Sequence, residues 1–407
     1  MSLSRRDVLI RSLALGCSAA AAPLVTPVAL ANAPWEGRLV VIILRGALDG
    51  LDAIRPHGDA DFAALRPTLG GGDDPSGLDL DGFFTLHPGF ESLHPLWQAG
   101  EFGAVHAVST PYRDKRSHFD GQDILEAGLP GLGGGGLRDG WLNRMLQLRG
   151  GLEPEIAYAI GRERMLVLSG LAETARWSPE ADLAVSAQAR QLLNIVHHDD
   201  PLFRDASADA IEIAASLELE AERAEQTGAM MQADPMMAGV AVNTTHVQLA
   251  DFAASRLRGD TRIASFSING WDTHSQQDQG LRRRGGMLSD TILALRAGLG
   301  DVWGRTAVLC LTEFGRTAAE NGSGGTDHGT GGAMLFAGGA LRGGQVLGDW
   351  PGLAEADLYD RRDLMPTRDL RAHAAWVMAQ MIGLNRDELE QVIFPGLEMG
   401  ARPGLLL

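Results

Sequence analysis

Continuous apolar runs alternate along the chain with segments of helical periodicity. Residues 39–44 form an apolar, largely β-branched run with a charged residue on each side, which predicts a parallel strand buried on both faces. Comparable runs predict strands at residues 101–108, 156–160, 165–168, 262–268, 306–311 and 333–337. Helical patterns cover residues 117–127, 242–257, 281–299, 370–382 and 386–392. This alternation predicts an α/β fold with a mostly parallel central sheet flanked by helices.

One stretch departs from that rhythm. Residues 178–232 are rich in Ala, Glu, Leu and Gln, and together with the helix that follows they predict a helical insertion at about 178–257. The length of 407 residues allows one large domain or two ordinary ones. We interpret residues 32–407 as a single α/β domain that carries this insertion.

The first residues have the pattern of an export signal. The twin arginines Arg5 and Arg6 precede an uncharged run at 12–28, and small residues up to Ala31 offer a signal-peptidase site. This pattern predicts a Tat signal peptide over residues 1–31, cleaved after Ala31, so we expect the Tat export machinery as a partner and a periplasmic or otherwise exported protein. An N-terminal anchor helix is the alternative, although the run is short and rich in Ala for a membrane span.

The charge of the chain excludes several classes of partner. The net charge is −17, and removal of the signal peptide would make it −19. A protein this acidic is a poor candidate for binding nucleic acid or anionic membranes. Cys310 is the one cysteine left in the mature sequence, so the mature chain has no internal disulfide. Its stability in an oxidising compartment must come from its core or from a bound metal.

An Asp and a His stand two residues apart where the predicted strand at 262–268 ends. In Gly270-Trp271-Asp272-Thr273-His274, alternate side chains of an extended segment point the same way. Asp272 and His274 can therefore ligate one ion such as zinc, manganese or iron. The alternative is a strand-end turn in which the Asp caps a helix.

Two further motifs place charged or metal-binding side chains beside apolar runs. Glu313 follows the apolar run at 308–312, where a charge is costly unless it is paired or bound to a metal. It is a candidate ligand, with Arg316 orienting it or holding an anionic substrate, and a structural Glu–Arg ion pair is the alternative. Asp327 and His328 lie among glycines that indicate close approach by another group, and a flexible loop is the alternative.

The N-terminal half adds a ligand and a nucleophile. Asp49 stands in the turn after the first predicted strand, where α/β proteins often carry a site residue. Ser117 is the candidate nucleophile, because it stands at a predicted helix N-terminus that favours an oxyanion or phosphate. Arg113 and His118 belong to a basic patch around it and are candidate catalytic residues. The alternative is an N-cap serine within a solvated run of charges.

The order of these motifs resembles the metal-site layout of the alkaline phosphatase and sulfatase superfamily. More closely, the stretches Gly-Trp-Asp-Thr-His, Glu-Phe-Gly-Arg-Thr and Thr-Asp-His-Gly, which begin at residues 270, 313 and 326, resemble a large bacterial family of Tat-exported proteins of unknown function. That family is often grouped with the superfamily. The resemblance covers nearly the whole mature chain.

The resemblance implies an alkaline-phosphatase-like fold with two metal positions. Asp49 would ligate one metal beside Ser117. The other site would be formed by three residues: Asp272, His274 and His328. Glu313 would replace the Asp of the superfamily's Asp-His dipeptide, but the next residue is Phe314 and not His. One ligand is then missing, so the site holds one metal, uses Asp327, or is degenerate.

Two functional hypotheses follow. The first is a periplasmic metal-dependent hydrolase of phosphate or sulfate esters, with a small anionic ester as substrate. A divalent metal would activate the serine, with zinc favoured and manganese, calcium or iron as the alternatives. The second is a catalytically degenerate relative that acts as a binding or assembly factor for an exported protein partner.

Overall fold

The computed structural model describes residues 33–70, 77–113, 115–131, 139–179 and 245–407. The predicted signal peptide at 1–31 lies outside the described residues, and so does most of the predicted insertion at 178–257. The last part of that insertion is described, and it is the helix Thr245–Leu257. None of the described helices has the length and apolar character required to cross a bilayer.

A mixed sheet forms the centre of the molecule, which confirms the predicted α/β class. The strands are β1 Arg38–Arg45, β2 Ile54–Arg55, β3 Leu78–Asp79, β4 Thr85–Leu86, β5 Phe102–Ser109, β6 Ala157–Ile160, β7 Ala175–Trp177, β8 Ile263–Asn269, β9 Thr306–Leu311, β10 Gly332–Ala337, β11 Val346–Leu347 and β12 Arg368–Asp369. Within the described residues the central sheet has nine strands, in the order β11-β5-β10-β9-β1-β8-β6-β7, with β12 also paired to β5. A small separate sheet has the order β2-β4-β3.

Strand β1 is the middle of the core. It pairs in parallel with β8 on one side and with β9 on the other. Alternate side chains enter different clusters: Leu39 and Val41 pack on one face, and Val40 and Ile42 pack on the other. The continuous apolar run predicted a strand buried on both faces, and this prediction is confirmed.

Helices cover both faces of the sheet. They are α1 Gly50–Ala53, α2 Phe62–Leu65, α3 His94–Gln98, α4 His118–Ala127, α5 Trp141–Arg149, α6 Thr245–Leu257, α7 Gln277–Leu299 and α8 Leu370–Ile382. Short 3₁₀ segments lie at Pro88–Leu93, Pro154–Ile156, Leu166–Leu168 and Gly300–Arg305, and a π-helix lies at Glu388–Ile393. The apolar faces of α5 and α8 pack in the cluster of Leu39, whereas α6 and α7 pack in the cluster of Val40.

Two predicted elements differ from the structure. Residues 165–168 were predicted as a strand, but the segment is a 3₁₀ turn in which Leu168 N–H donates to the Met165 carbonyl at 3.2 Å. Strand β6 already pairs with β7 and β8, so neither of its edges is open to this segment. The closing helix predicted at 386–392 is the π-helix Glu388–Ile393.

Strand β10 runs antiparallel to both β5 and β9. No helix lies between β9 and β10, so the chain reverses through a loop instead of crossing over a face of the sheet. That loop contains Glu313, Arg316 and His328. The carboxyl ends of the parallel strands β1, β8 and β9 therefore meet this loop at one edge of the sheet, which is where α/β proteins usually place a site.

Candidate metal centre

Three imidazoles and one carboxylate converge at this edge. Asp272 and His274 follow β8, His328 lies in the loop before β10, and His118 is the first residue of α4. One carboxylate oxygen of Asp272, Oδ1, is 3.1 Å from Nε2 of both His274 and His328. The other, Oδ2, is 3.3 Å from Nε2 of His118. One ligand atom from each of three residues, His118, Asp272 and His328, falls within 4.8 Å of the others.

Each imidazole is held through its other ring nitrogen. Nδ1 of His118 is 2.7 Å from Oε1 of Glu313, and Nδ1 of His328 is 2.9 Å from the carbonyl of Arg116. In the same way His274 Nδ1 lies 3.3 Å from Oδ1 of Asp327. A carbonyl and ionised carboxylates only accept hydrogen bonds, so in the neutral rings the proton sits on Nδ1. Each Nε2 is left with a lone pair, which is the arrangement of metal-binding histidines.

The lone pairs point at one another. Nε2 of His274 lies only 3.0 Å from Nε2 of His328, and Asp272 Oδ1 adjoins both atoms. Nε2 of His118 is buried and lies 3.3 Å from Asp272 Oδ2. Converging acceptors repel unless a cation lies among them, so the cluster requires a metal ion or an additional proton.

The spacing suits a small divalent ion. Neighbouring ligand atoms of a tetrahedral zinc site with bonds of 2.0–2.1 Å are about 3.3 Å apart. Nε2 of His274 and Nε2 of His328 are 3.0 Å apart, and each of the three Nε2 atoms lies 3.1–3.3 Å from an Asp272 oxygen. Imidazole nitrogen with a single carboxylate is a donor set that zinc, iron and manganese accept and that calcium does not favour. The residues present therefore fit a transition-metal ion.

The charge state of Asp272 suits a ligand. Burial acts to raise the pKa of its carboxyl, but the hydrogen bond from Arg316 and the positive charge of that guanidinium help to hold the pKa at about 2. The hydrogen bond to Glu313 raises the pKa of His118, whereas burial lowers the pKa of His328. At neutral pH the cluster thus contains an anionic carboxylate beside imidazoles whose pKa values differ.

Glu313 stands behind His118 and is fully buried. Its Oε1 accepts from His118 and also from Gly46 N–H at 2.9 Å and Gln122 Nε2 at 3.1 Å, while Oε2 accepts from the Thr312 hydroxyl at 3.1 Å. Three donors occupy Oε1, whereas the Thr312 hydroxyl near Oε2 also lies 2.8 Å from the Leu44 carbonyl. Through Oε1 the buried Glu313 orients His118. The alternative of a Glu313–Arg316 ion pair is wrong. Among the described residues, the hydrogen-bond partners of the Glu313 carboxylate are His118, Gly46, Gln122 and Thr312.

Arg316 contacts the cluster through Asp272. Its NH1 donates to Asp272 Oδ1 at 2.7 Å, and its other nitrogens donate to the hydroxyl and carbonyl of Thr326 at 3.2 and 2.6 Å. The guanidinium is buried. It fixes the rotation of the Asp272 carboxylate and keeps it ionised.

Asp49 lies on the far side of that network. Its Oδ2 accepts from Arg66 at 2.8 Å, from Gln277 at 2.8 Å and from Thr326 at 3.2 Å, and its Oδ1 accepts from Asp52 N–H at 3.2 Å. Asp49 is buried and its oxygens are occupied by these donors. The structure therefore separates Asp49 from the imidazole cluster and connects the two through Thr326 and Arg316.

Phe314 forms a wall of the cluster. Its ring stacks on His118 with centroids 5.1 Å apart and lies 5.2 Å from the His328 ring. It also stacks on Tyr112 in a small apolar group. The third imidazole comes from His118 of α4, so the cluster has three imidazoles although residue 314 is not a histidine.

Ser117 and Arg113 lie beside the cluster. The Ser117 hydroxyl accepts from Asp120 N–H at 3.4 Å as the N-cap of α4, and the Ser117 N–H donates to the Tyr112 hydroxyl at 2.8 Å. Arg113 donates to the Thr110 and Tyr112 carbonyls. Ser117 is therefore the N-cap that the sequence analysis gave as the alternative. It directly precedes His118 in the chain.

A comparison with known protein families identifies the family of this chain. Residues 97–393 match a family model described as "Protein of unknown function (DUF1501)". The chain belongs to the DUF1501 family. No curated protein matches it.

Two solved structures are similar to this DUF1501 member. One is a protein in the alkaline phosphatase superfamily from Vibrio parahaemolyticus, with 11% identity, a TM-score of 0.34 and coverage of 77% of this chain. The chain spans 64% of the length of that protein. The other is the C-terminal periplasmic domain of EcEptC from Escherichia coli in complex with Zn, with 9% identity, a TM-score of 0.30 and coverage of 74% of this chain and 72% of that one.

Two arginines beside the cluster were not predicted as site residues, although Arg116 belongs to the basic patch around Ser117. The backbone of Arg116 has a φ of +52°, a conformation that is uncommon outside glycine, and this turn aims its carbonyl at His328. Arg362 donates to the His328 carbonyl at 3.0 Å. Both guanidiniums are partly exposed and share Asp363, at 3.5 Å from Arg116 and 3.1 Å from Arg362. These arginines form a positive rim on one side of the cluster.

Proposed function

We propose that this protein is an exported, metal-dependent hydrolase of phosphate or sulfate esters. The observation that carries the proposal is that three Nε2 atoms lie next to the Asp272 carboxylate while each Nδ1 is held by a hydrogen-bond acceptor. Four residues would hold the ion: His118, Asp272, His274 and His328. The twin-arginine segment supports export to the periplasm.

The proposed centre binds one ion. Both other acidic candidates that follow parallel strands are engaged within the protein: Asp49 accepts hydrogen bonds through both oxygens, and Glu313 is buried with its Oε1 on His118. Arg316 supplies a fixed positive charge beside Asp272. A second metal ion is therefore not needed to balance the charge of that carboxylate. A single divalent ion supplies Lewis acidity to a phosphoryl or sulfuryl oxygen and lowers the pKa of an adjacent nucleophile.

The surroundings of the cluster favour an anionic substrate. Arg116 and Arg362 form a positive rim on a chain whose net charge is −17. One guanidinium group can bind two oxygens of a phosphate or sulfate through two parallel N–H···O hydrogen bonds. The N-terminus of α4 adds backbone N–H groups and a helix dipole on the side of Ser117. A dianionic ester therefore finds positive groups on two sides of the proposed metal.

Ser117 is the proposed nucleophile. Its oxygen would bond to phosphorus or sulfur as the bond to the ester oxygen breaks, and its proton would pass to the leaving alcohol. Water would then release the inorganic anion and restore the hydroxyl. The position supports this role, since Ser117 directly precedes His118 and its hydroxyl accepts a long hydrogen bond of 3.4 Å from Asp120 N–H.

A second candidate function is that of a binding or assembly factor for an exported protein. The burial of Asp49 against Arg66 favours it, because a residue that the superfamily layout would assign to a metal is engaged in an ion pair instead. This role predicts that the protein co-purifies with a partner and that Ser117→Ala has no effect in cells.

One experiment separates the two. The protein is exported through Tat, purified from the periplasm, and assayed with 4-nitrophenyl phosphate and 4-nitrophenyl sulfate beside the variants Ser117→Ala and Asp272→Ala. Hydrolysis that requires added or bound metal and is lost in both variants supports the hydrolase. Absence of hydrolysis and of metal, with Asp272→Ala as stable as the parent, would rule it out.

A further inference from the structure

A cavity of about 790 Å³ adjoins the proposed metal centre. Arg45 and Gly46 border it at the end of β1, Asn269 borders it at the end of β8, and Phe119 and Gln122 border it from α4. Gly46 and Gln122 also donate to Glu313, which holds His118. Phe119 also directly follows His118 in the chain. The cavity therefore lies next to the part of the cluster that His118 forms.

The arginine rim and the cavity lie beside different parts of the cluster. Arg116 and Arg362 contact His328, whereas the cavity is bordered by the groups that flank His118. An ester bound at the centre can thus place its anionic group towards the arginines and its organic group towards the cavity.

The charged groups of the cavity wall are of both signs, since Arg45 and Arg164 line it together with Asp123, Glu126 and Glu163, and Arg45 is already paired. Arg45 pairs with Glu126 at 2.7 Å and with Glu163 at 3.0 Å, and it donates to Gln122 at 2.8 Å. Glu126 also accepts from Val167 N–H at 3.1 Å. A ligand that offered further charge would have to compete with these pairs, so the wall does not favour a charged group.

Beside these charged groups and the polar Gln122 and Asn269, the lining has an apolar part. Ile124, Ala127, Leu129 and Leu166 line the cavity, and Phe119 projects into solvent with 84% of its surface exposed. An aromatic ring held by the backbone of a helix offers a broad apolar face to a second ring. The volume is within the range that encloses a whole small organic molecule.

We propose that this cavity binds the organic group of the ester, and that this group is an uncharged aromatic ring system. The inference rests on the proposed function, which supplies the anionic end of the same substrate. Phe119 is the specificity residue, because it lines the cavity and directly follows His118 in the chain. Esters of small alcohols would leave the cavity unfilled and would bind more weakly.

Calorimetric titration of the mature protein with 2-naphthol tests the proposal directly, because 2-naphthol is the uncharged product of an aryl ester. Phe119→Ala should weaken binding about five- to tenfold through loss of the ring–ring contact. Leu171→Ala is the matched control, since Leu171 is also 84% exposed but does not line the cavity, and it should bind 2-naphthol as the parent does. Both side chains are exposed, so neither variant should affect folding.

Assays with methyl phosphate and 2-naphthyl phosphate separate this inference from the proposed function. A lower KM for the naphthyl ester that Phe119→Ala abolishes would support the subsite. Hydrolysis of methyl phosphate without any 2-naphthol binding, or with equal binding to the parent and Phe119→Ala, would overturn the subsite and leave the hydrolase standing. Phe119-dependent binding of 2-naphthol with no hydrolysis of either ester would support the aromatic site and count against the hydrolase.

Discussion

The Nε2 atoms of His274 and His328 lie 3.0 Å apart, although each ring is anchored through Nδ1 to a hydrogen-bond acceptor. Two anchored imidazoles with facing lone pairs repel each other, and the Asp272 oxygen beside both adds a negative charge. A divalent cation removes the repulsion and uses all three atoms. This geometry makes the cluster a metal site in our account, with Glu313, Asp327 and the Arg116 carbonyl as the groups that set the ring orientations.

Substitution of Glu313 should weaken metal binding without removing a ligand. Glu313→Gln keeps the size of the side chain but loses the charge that holds His118 through Nδ1. We expect metal affinity to fall about 10- to 100-fold, as is usual for the groups behind metal-binding histidines. Competition with a chelating dye measures the affinity. The control is Glu320→Gln, whose carboxylate bonds Thr68 and Leu69, and an equal loss in both variants would contradict the orienting role.

Removal of the Asp49–Arg66 pair should affect stability and not metal content. Arg66→Met leaves a buried carboxylate without its cation, so we expect a loss of about 3–5 kcal/mol in the free energy of unfolding. Asp49→Asn combined with Arg66→Met should cost less than the sum of the single changes. Urea unfolding measures the stability, and elemental analysis of Asp49→Asn measures the metal. A loss of metal in Asp49→Asn would show that Asp49 is a ligand after all.

Truncation of Phe314 should destabilise the wall of the site. Phe314 is buried and stacks on His118 and Tyr112, so Phe314→Ala should lower the free energy of unfolding by about 3–5 kcal/mol. Phe119→Ala, at an exposed position in the same region, should change it by less than about 0.5 kcal/mol. Similar unfolding midpoints for the two variants would mean that Phe314 does not support the cluster.

The buried His373 should make the protein sensitive to acid. Burial lowers the pKa of its imidazole to about 3, whereas the unfolded chain takes up the proton near pH 6.5. As the pH falls from about 6.5 towards 3, the unfolded state binds a proton that the folded state does not, so stability falls over that range and is highest above it. Both ring nitrogens lack a partner among the described residues.

His373→Leu should therefore reduce the loss of stability between pH 7 and pH 5. Urea unfolding at both pH values, for the parent and the variant, measures the difference. Equal losses in the two proteins would show that His373 does not carry this acid sensitivity.

The apolar runs predicted most of the core because their information is local. Strands β1, β8 and β9 and the N-cap at Ser117 were read from continuous segments, and the structure has them within a residue or two. The direction of β10 could not be read in this way, since it depends on the loop that returns the chain to the sheet. Its antiparallel pairing is a property of connectivity and not of the strand's own composition.

The site was predicted in part for a similar reason. The convergence of Asp272, His274 and His328 could be expected from strand ends and from the family resemblance. The saturation of Asp49 could not, because its partner Gln277 lies 228 residues away in the sequence. His118 was noticed as a basic residue near Ser117, but only the packing of α4 against Glu313 brings its ring to the cluster.

The metal content of the purified protein tests the central claim most directly. Elemental analysis should find one divalent ion per chain in the parent and in His94→Ala, a histidine of α3 outside the cluster. The combined variant His274→Ala with His328→Ala should hold none while keeping its secondary structure by circular dichroism. A parent protein that takes up no ion after incubation with zinc, manganese or iron, or a combined variant that retains the full content, would contradict the account.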